Sequence, residues 1–264
     1  MKIGCSTILY GGQELDLALD RIAATGYSAI ELCAIERMAP HLQLGQETAY
    51  YEDIKATVAE RGLIIESIGG SGNFGDEDRF RQALDAAAAV GAPLITTGPG
   101  GKPDDDASFG EVIDKLNRFG KQAASRDVRI SIKPHVKNAV YNTETALRMM
   151  AEVDGDVIGI NYDPTHIWRT PQEEIPEETL DPLLEHMFSI RIRDVKTRQL
   201  NICPVAQQVA GEGDLNLAAL AAKLKTAPRV THAVLEIVGT KEMPVDEIDP
   251  VIQRSFQAFE PLFF

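Results

Sequence analysis

Short apolar runs alternate with longer amphipathic stretches along the whole chain. The runs 2–6, 29–33, 63–68, 94–97, 128–133, 157–161, 188–193 and 232–237 read as buried strands. Between them, apolar positions recur at helical spacing over 15–24, 50–61, 76–90, 109–124, 143–151, 176–186 and 215–224, and a last helix is predicted at about 250–259. Glycine precedes several strands, as in Gly26-Tyr27-Ser28, Gly62-Leu63 and Gly91-Ala92-Pro93, which suits helices that end in a left-handed residue. Alternating strands and helices call for a parallel sheet, and eight such units favour closure into a single (β/α)8 TIM barrel over an open doubly wound sheet. The Gly-x-Gly-x-x-Gly of a dinucleotide site is missing after the first strand. Gly98-Pro99-Gly100-Gly101-Lys102 is followed by Pro-Asp-Asp-Asp rather than Ser or Thr, so it reads as a turn after the fourth strand, placed to touch a substrate.

Composition narrows the class. The 264 residues, 44% hydrophobic and 25% charged, suit one domain spanning 1–264 and the usual length of such a barrel. With 26 Lys plus Arg against 40 Asp plus Glu, the net charge of −14 repels a phosphate backbone and no long basic run offsets it, so no nucleic-acid partner is expected. Met1-Lys2-Ile3-Gly4-Cys5 enters a strand without a leader pattern, and no apolar stretch is long enough to cross a bilayer; the expectation is a cytoplasmic protein without a membrane partner. Cys5, Cys33 and Cys203 are an odd count without Cys-x-x-Cys spacing and suggest neither a disulfide framework nor a zinc knuckle. Cys5 and Cys33 read as small apolar residues within strands.

The strand ends change the picture. Ile130-Ser131-Ile132 runs into Lys133-Pro134-His135, Val157-Ile158-Gly159-Ile160 into Asp163-Pro164-Thr165-His166, Ser189-Ile190 into Arg191-Ile192-Arg193-Asp194, and Ala233-Val234-Leu235 into Glu236. A charge that closes a buried strand carries a desolvation cost that a partner or a function must offset. In a barrel these ends converge on the face that builds active sites, so an enzyme is expected.

Asp163 reads as a metal ligand or acid/base group, with His166 placed to bind a substrate hydroxyl or the metal; the alternative is an Asp turn capping the next segment, with His166 as its partner. Glu236 reads as catalytic or metal-binding, or as the partner of an Arg such as Arg193. Lys133 is either a general base or Schiff-base amine, or a fixed cation between Asp163 and Glu236, and nearby carboxylates favour the cation. His135 is expected at the substrate. Arg191 and Arg193 share one strand face, and two guanidiniums inside a barrel need anionic partners, which Asp163, Glu236 or an anionic substrate group can supply. Asp194 is expected to orient an Arg or Lys. Glu31 contacts substrate or braces Lys133, Glu66 lies on the third strand, and Trp168 covers the site or packs beside it. His41, His186 and His232 read as structural.

With these residues in place, the chain resembles the xylose isomerase-like TIM-barrel superfamily, the sugar phosphate isomerase/epimerase and endonuclease IV-like group. The resemblance spans essentially the whole chain. It rests on Gly26-Tyr27-Ser28-Ala29-Ile30-Glu31-Leu32, Asp163-Pro164-Thr165-His166, Arg191-Ile192-Arg193-Asp194 as counterpart of a His-x-Lys-Asp motif, Gly211-Glu212-Gly213-Asp214, and Glu236. It implies a divalent metal held by Glu on strand five, Asp on strand six, His on strand seven and Glu on strand eight, with the two Glu residues shuttling a proton between adjacent sugar carbons. Those four places hold Lys133, Asp163, Arg191 and Glu236 here. Lys and Arg bring no donor atoms for a cation and add positive charge, so they are expected to replace the metal and stabilise an enediolate themselves. Glu236 then serves as proton shuttle, with His135 or His166 as complement. The other possibility is a divalent Mn, Mg, Zn or Co held by Asp163, Glu236 and His166.

Endonuclease IV-like chemistry is disfavoured, because Ile68-Gly69-Gly70 and Thr96-Thr97-Gly98 lack the histidines of its metal cluster. The leading expectation is a carbohydrate isomerase or epimerase acting next to a keto-sugar carbonyl on a small-molecule carbohydrate. The alternatives are a keto-sugar or keto-inositol lyase or dehydratase, and a non-catalytic sugar-binding or partner subunit. A homo-oligomer is an open possibility by the same resemblance.

Overall fold

In a computed structural model that describes all 264 residues, the eight runs form β1 (Lys2–Ser6), β2 (Ala29–Ile35), β4 (Ile64–Gly69), β5 (Leu94–Thr97), β6 (Arg129–Ile132), β7 (Ile158–Tyr162), β8 (Met187–Ile192) and β9 (His232–Leu235). All eight pair in parallel in the order β1-β9-β8-β7-β6-β5-β4-β2. The ring closes where β1 meets β2, with Gly4 opposite Ala29 and Cys5 opposite Ile30. A two-residue β3 (Ala39–Pro40) turns back antiparallel on β2 and explains why β2 extends to Ile35 rather than stopping at Cys33. The chain is therefore a single (β/α)8 barrel.

The strands form because β-branched residues alternate with small or polar ones, and closure sends the two sets to opposite faces. Ile130, Ile132, Ile190 and Ile192 are buried in the apolar layer beneath the helices. Ser131 and Ser189, from strands that are not neighbours, hydrogen-bond at 2.8 Å across the lumen. The lumen is thus polar where barrels of this kind are usually filled by branched apolar side chains.

The surrounding helices are α1 (Leu15–Thr25), α2 (Thr48–Glu60), α3 (Glu77–Val90), α4 (Asp106–Ala124), α5 (Thr143–Glu152), the short α6 (Pro164–Trp168) and α7 (Pro176–Thr179), α8 (Leu217–Leu224) and α9 (Val245–Phe263). Side chains cap several starts: Asp76 accepts from Asp78 N and Arg79 N, Asp105 from Ser108 N, and Asn142 forms a capping box with Thr145. Gly26 and Gly91 end α1 and α3 at φ 110° and 75°, the left-handed ends expected from the sequence.

Two helices depart from the periodicity. The stretch 176–186 splits into α7 and a 3-10 segment (Asp181–His186), because Pro182 has no N–H and its ring opposes a continuing α-helix. The last helix starts at Val245 and runs through Pro250. Burial of Ile248, Ile252, Phe259 and Phe263 along one stripe outweighs the backbone bond that Pro250 cannot make.

Candidate active site

A cavity of about 940 Å³ opens at the ends of the strands, and Lys133, His135, Asn161, His166, Arg193 and Glu236 all line it. The loop Gly98–Gly101 forms part of its wall, as its position after the fourth predicted strand suggested. Each charged group sits one residue or a few beyond a strand that is apolar on its outer face, which fixes the backbone and aims the side chain inward.

The centre is an ion network. Lys133 Nζ donates to both carboxylate oxygens of Glu236, at 2.7 and 2.6 Å, and lies 3.6 Å from Asp163 Oδ2. Lys133 thus sits between the two carboxylates as a fixed cation. Arg191, fully buried, donates to Glu31 Oε1 at 2.5 Å and to Ser67 Oγ at 3.0 Å, and lies 3.6 Å from Glu66 and 3.4 Å from Glu236. Arg193 donates to Asp163 Oδ2 at 3.0 Å, Thr165 Oγ1 at 3.1 Å and Gln208 Oε1 at 3.2 Å. Glu31 also accepts from the Ser6 and Thr96 hydroxyls at 2.6 Å each, so it braces Arg191 while also lining the cavity. Glu236 pairs with Lys133 and Arg191 rather than with Arg193.

These contacts set the ionisation. Burial pushes the Glu31 carboxyl up, but Arg191, aided by Lys133 and the two hydroxyls, reverses this and holds it at about 2. Burial also works against ionised Asp163, and Arg193 outweighs it, keeping Asp163 far below the usual carboxylate range. Glu66 goes the other way, because burial exceeds the help it receives from Arg191. Burial lowers both His135 and His166, the latter strongly despite Asp163. Both imidazoles are therefore neutral near pH 7. Their rings stack at 4.1 Å between centroids. His135 Nδ1 lies 2.7 Å from the Val136 carbonyl, so it carries the proton and leaves Nε2 as a free lone pair.

Sequence reasoning missed two residues. Asn161 is almost fully buried in β7, lines the cavity, and has no hydrogen-bond partner on either amide atom. Its signal was a lone amide in the run Ile158-Gly159-Ile160-Asn161-Tyr162. Arg169, buried beside the cavity, donates to Thr165 O, to Leu200 O and toward His166. It lies one helical turn past His166 and follows no apolar run, so strand-end counting passed over it. Two other readings change. Asp194 orients no cation; it accepts from the backbone N–H groups of Val195, Leu215 and Gly211 and ties down the loop after β8. Trp168 is not in the cavity wall; its ring lies under the Arg198 guanidinium at 3.5 Å.

The residues do not fit a divalent cation. Both Glu236 oxygens are taken by Lys133, Asp163 is taken by Thr165 and Arg193, and His166 is flanked by Arg169 and Arg193. Glu31, Glu66, Asp163 and Glu236 already face Lys133, Arg191 and Arg193, with Arg169 close by. A dication would enter among four fixed positive charges with its candidate donors engaged.

A family model described as xylose isomerase-like TIM barrel matches residues 19–259. No match was found among curated protein sequences. Among solved structures, the chain is similar to an IolI protein with a binding zinc atom, at 15% identity, with a TM-score of 0.80 over 100% of this chain and 98% of that one. It is also similar to a D-psicose 3-epimerase from Clostridium cellulolyticum H10, at 12% identity and TM-score 0.79 over 100% and 99% of the two chains. A probable 3-DHS dehydratase, AsbF, from Bacillus anthracis matches at 16% identity and TM-score 0.77 over 97% and 98%. At these identities the structural matches speak for the fold alone.

Proposed function

This chain belongs to the xylose isomerase-like TIM-barrel family, and from that premise we propose that it is a carbohydrate isomerase or epimerase that moves a proton beside a keto-sugar carbonyl, using lysine and arginine where relatives use a metal. The carrying observation is the Lys133 ammonium clamped on both oxygens of Glu236 inside the cavity, with neutral histidines nearby.

The Lys133 ammonium has three N–H bonds. Two are spent on Glu236, and the third has only Asp163, at 3.6 Å. That third N–H donates to a substrate carbonyl oxygen. Glu236, held by Lys133 and lying 3.4 Å from Arg191, takes the proton from the adjacent carbon as the electron pair moves onto the carbonyl oxygen. Lys133 stabilises the enediolate so formed, the electrostatic task that a metal would otherwise perform. Arg193 on the cavity wall takes the part expected of Arg191, which is fully buried on Glu31 and Ser67 and does not line the cavity. Return of that proton by Glu236 to the neighbouring carbon, while His135 Nε2 relays the hydroxyl proton to the former carbonyl oxygen, gives an isomer. Delivery of a solvent proton to the other face of the first carbon, with the abstracted proton passing from Glu236 to solvent, gives an epimer. His135 Nε2 is the complementary acid/base group, and the unpartnered Asn161 amide binds a substrate hydroxyl.

The test is elemental analysis of protein purified without chelator, combined with turnover and solvent deuterium incorporation on a panel of ketoses and keto-sugars before and after EDTA. Metal-free protein that exchanges deuterium beside the carbonyl, unaffected by EDTA, is expected. Stoichiometric Mn, Mg, Zn or Co with EDTA-sensitive exchange would overturn the cation-replacement reading. Exchange followed by loss of the β-hydroxyl would make the enzyme a dehydratase acting through the same enolate, and binding without exchange would make it a sugar-binding subunit.

A further inference from the structure

We infer that the substrate of this site carries an anionic oxygen group, a carboxylate or a phosphate, that docks on Arg169. The inference rests on the small-molecule reading above and adds the charge of the substrate. Lys133, Arg191 and Arg193 each have a carboxylate at salt-bridge distance. Arg169 has none, although only 3% of its surface is exposed. Its guanidinium is held by two backbone carbonyls, Thr165 O at 2.9 Å and Leu200 O at 3.0 Å, and by the His166 ring at 3.2 Å. These contacts occupy three of its five N–H bonds, leaving two. Carbonyls and a neutral imidazole orient the fork and contribute no negative charge.

A buried cation without a counter-ion is costly, and retaining one at the wall of a cavity is understandable when the occupant supplies the anion. Hydroxyl groups of a neutral sugar can satisfy N–H bonds, but a carboxylate or phosphate also neutralises the charge and matches the planar fork. Burial, with Arg193 adding repulsion, lowers Arg169 to about 10, in keeping with a charge short of compensation. A second cation stands on the same wall. Lys137 donates to Asn201 Oδ1 at 3.0 Å, next to the Leu200 carbonyl that holds Arg169, and Lys137 too has no carboxylate partner. Both line the cavity of a chain whose net charge is −14, so two cations without carboxylate partners stand together in a molecule rich in acid.

The geometry also bounds the length of the substrate. A single imidazole separates Arg169 from the reacting centre, since His166 Nε2 lies 3.8 Å from Asp163 Oδ2, itself 3.6 Å from Lys133 Nζ. The anionic group therefore sits a few bonds from the carbonyl that Lys133 receives.

The test compares fructose, fructose 6-phosphate and galacturonate by equilibrium dialysis and by thermal shift on the wild-type chain and on Arg169→Gln. The phosphate, the uronate or both should bind wild type about 10- to 100-fold more tightly than fructose. Arg169→Gln should erase that preference, bringing the three ligands to within about twofold of one another. Preference for the phosphate alone assigns a phosphate, and for the uronate alone a carboxylate. Equal binding of the three by wild type overturns the inference, and this arm stands even where the variant fails to fold. A preference that survives Arg169→Gln overturns it as well. Deuterium exchange on the same complexes separates the two readings. Anion preference without exchange keeps this inference and removes the proton-transfer function, whereas exchange on fructose as fast as on the charged sugars does the reverse.

Discussion

Asn161 is a buried amide with no partner, and that gives a test in which stability and function part company. A residue that loses no hydrogen bond on replacement costs little, so Asn161→Leu should leave the melting temperature unchanged or raise stability by about 1 kcal/mol. Substrate affinity should fall by about tenfold or more, the loss of one buried polar contact. A destabilised variant with unchanged KM would assign Asn161 to the fold instead. The Lys133–Glu236 pair behaves differently, because each partner compensates the other where both are largely withdrawn from solvent. Lys133→Met alone should cost about 3–5 kcal/mol, since it leaves a buried carboxylate short of charge. Adding Glu236→Gln should recover part of that loss, and a double-mutant cycle by urea denaturation measures the coupling. Glu236→Gln alone should lower deuterium exchange by about 10² or more with a smaller change in sugar binding.

Among the elements, the loop that follows β8 is held by one side chain. Asp194 collects three backbone N–H groups from Val195, Gly211 and Leu215, and a Cβ built on Gly213 would stand 2.0 Å from Asp194 Oδ1. Gly213→Ala and Asp194→Ala should each free this loop, at about 2–4 kcal/mol for the aspartate. Limited proteolysis between residues 195 and 215 reads the effect, and resistance equal to wild type would assign the anchoring elsewhere. The same element shows why Asp194 was misread from sequence. The motif Arg191-Ile192-Arg193-Asp194 places an acid beside two cations along the chain, while the fold turns it toward backbone donors some twenty residues on. Helix breaks were illegible for a similar reason. Pro182 stops an α-helix and Pro250 does not, and the difference lies in how much apolar surface the helix buries against its neighbours.

At the scale of the whole molecule, the buried network makes stability depend on pH. His135 and His166 have lowered values in the folded chain, as do His41 and His232, each through burial. A depressed group binds more protons unfolded than folded, so stability is full above the unfolded value and is lost as pH falls through it. Each histidine should remove up to about 1.4 kcal/mol per pH unit below about pH 6.5. Below about pH 4.3, Glu31, held at about 2, and Asp163 add to the loss in the same direction. Glu66, raised by burial, opposes them because its protonation favours the folded chain. Urea denaturation at intervals from about pH 7.5 to pH 4 should show decline already at about pH 6. A flat profile from pH 7 to pH 5 would mean that the histidines are not buried as neutral groups. Barrel, strand order along the chain and the polar strand ends were all legible beforehand, because periodicity and a charge closing an apolar run are local properties of the chain. Partner choice was not: whether Glu236 meets Lys133 or Arg193, and whether Arg169 meets any anion, depends on the stagger with which eight strands close. That closure brings residues a hundred positions apart to within 3 Å, as it does for Lys133 and Glu236.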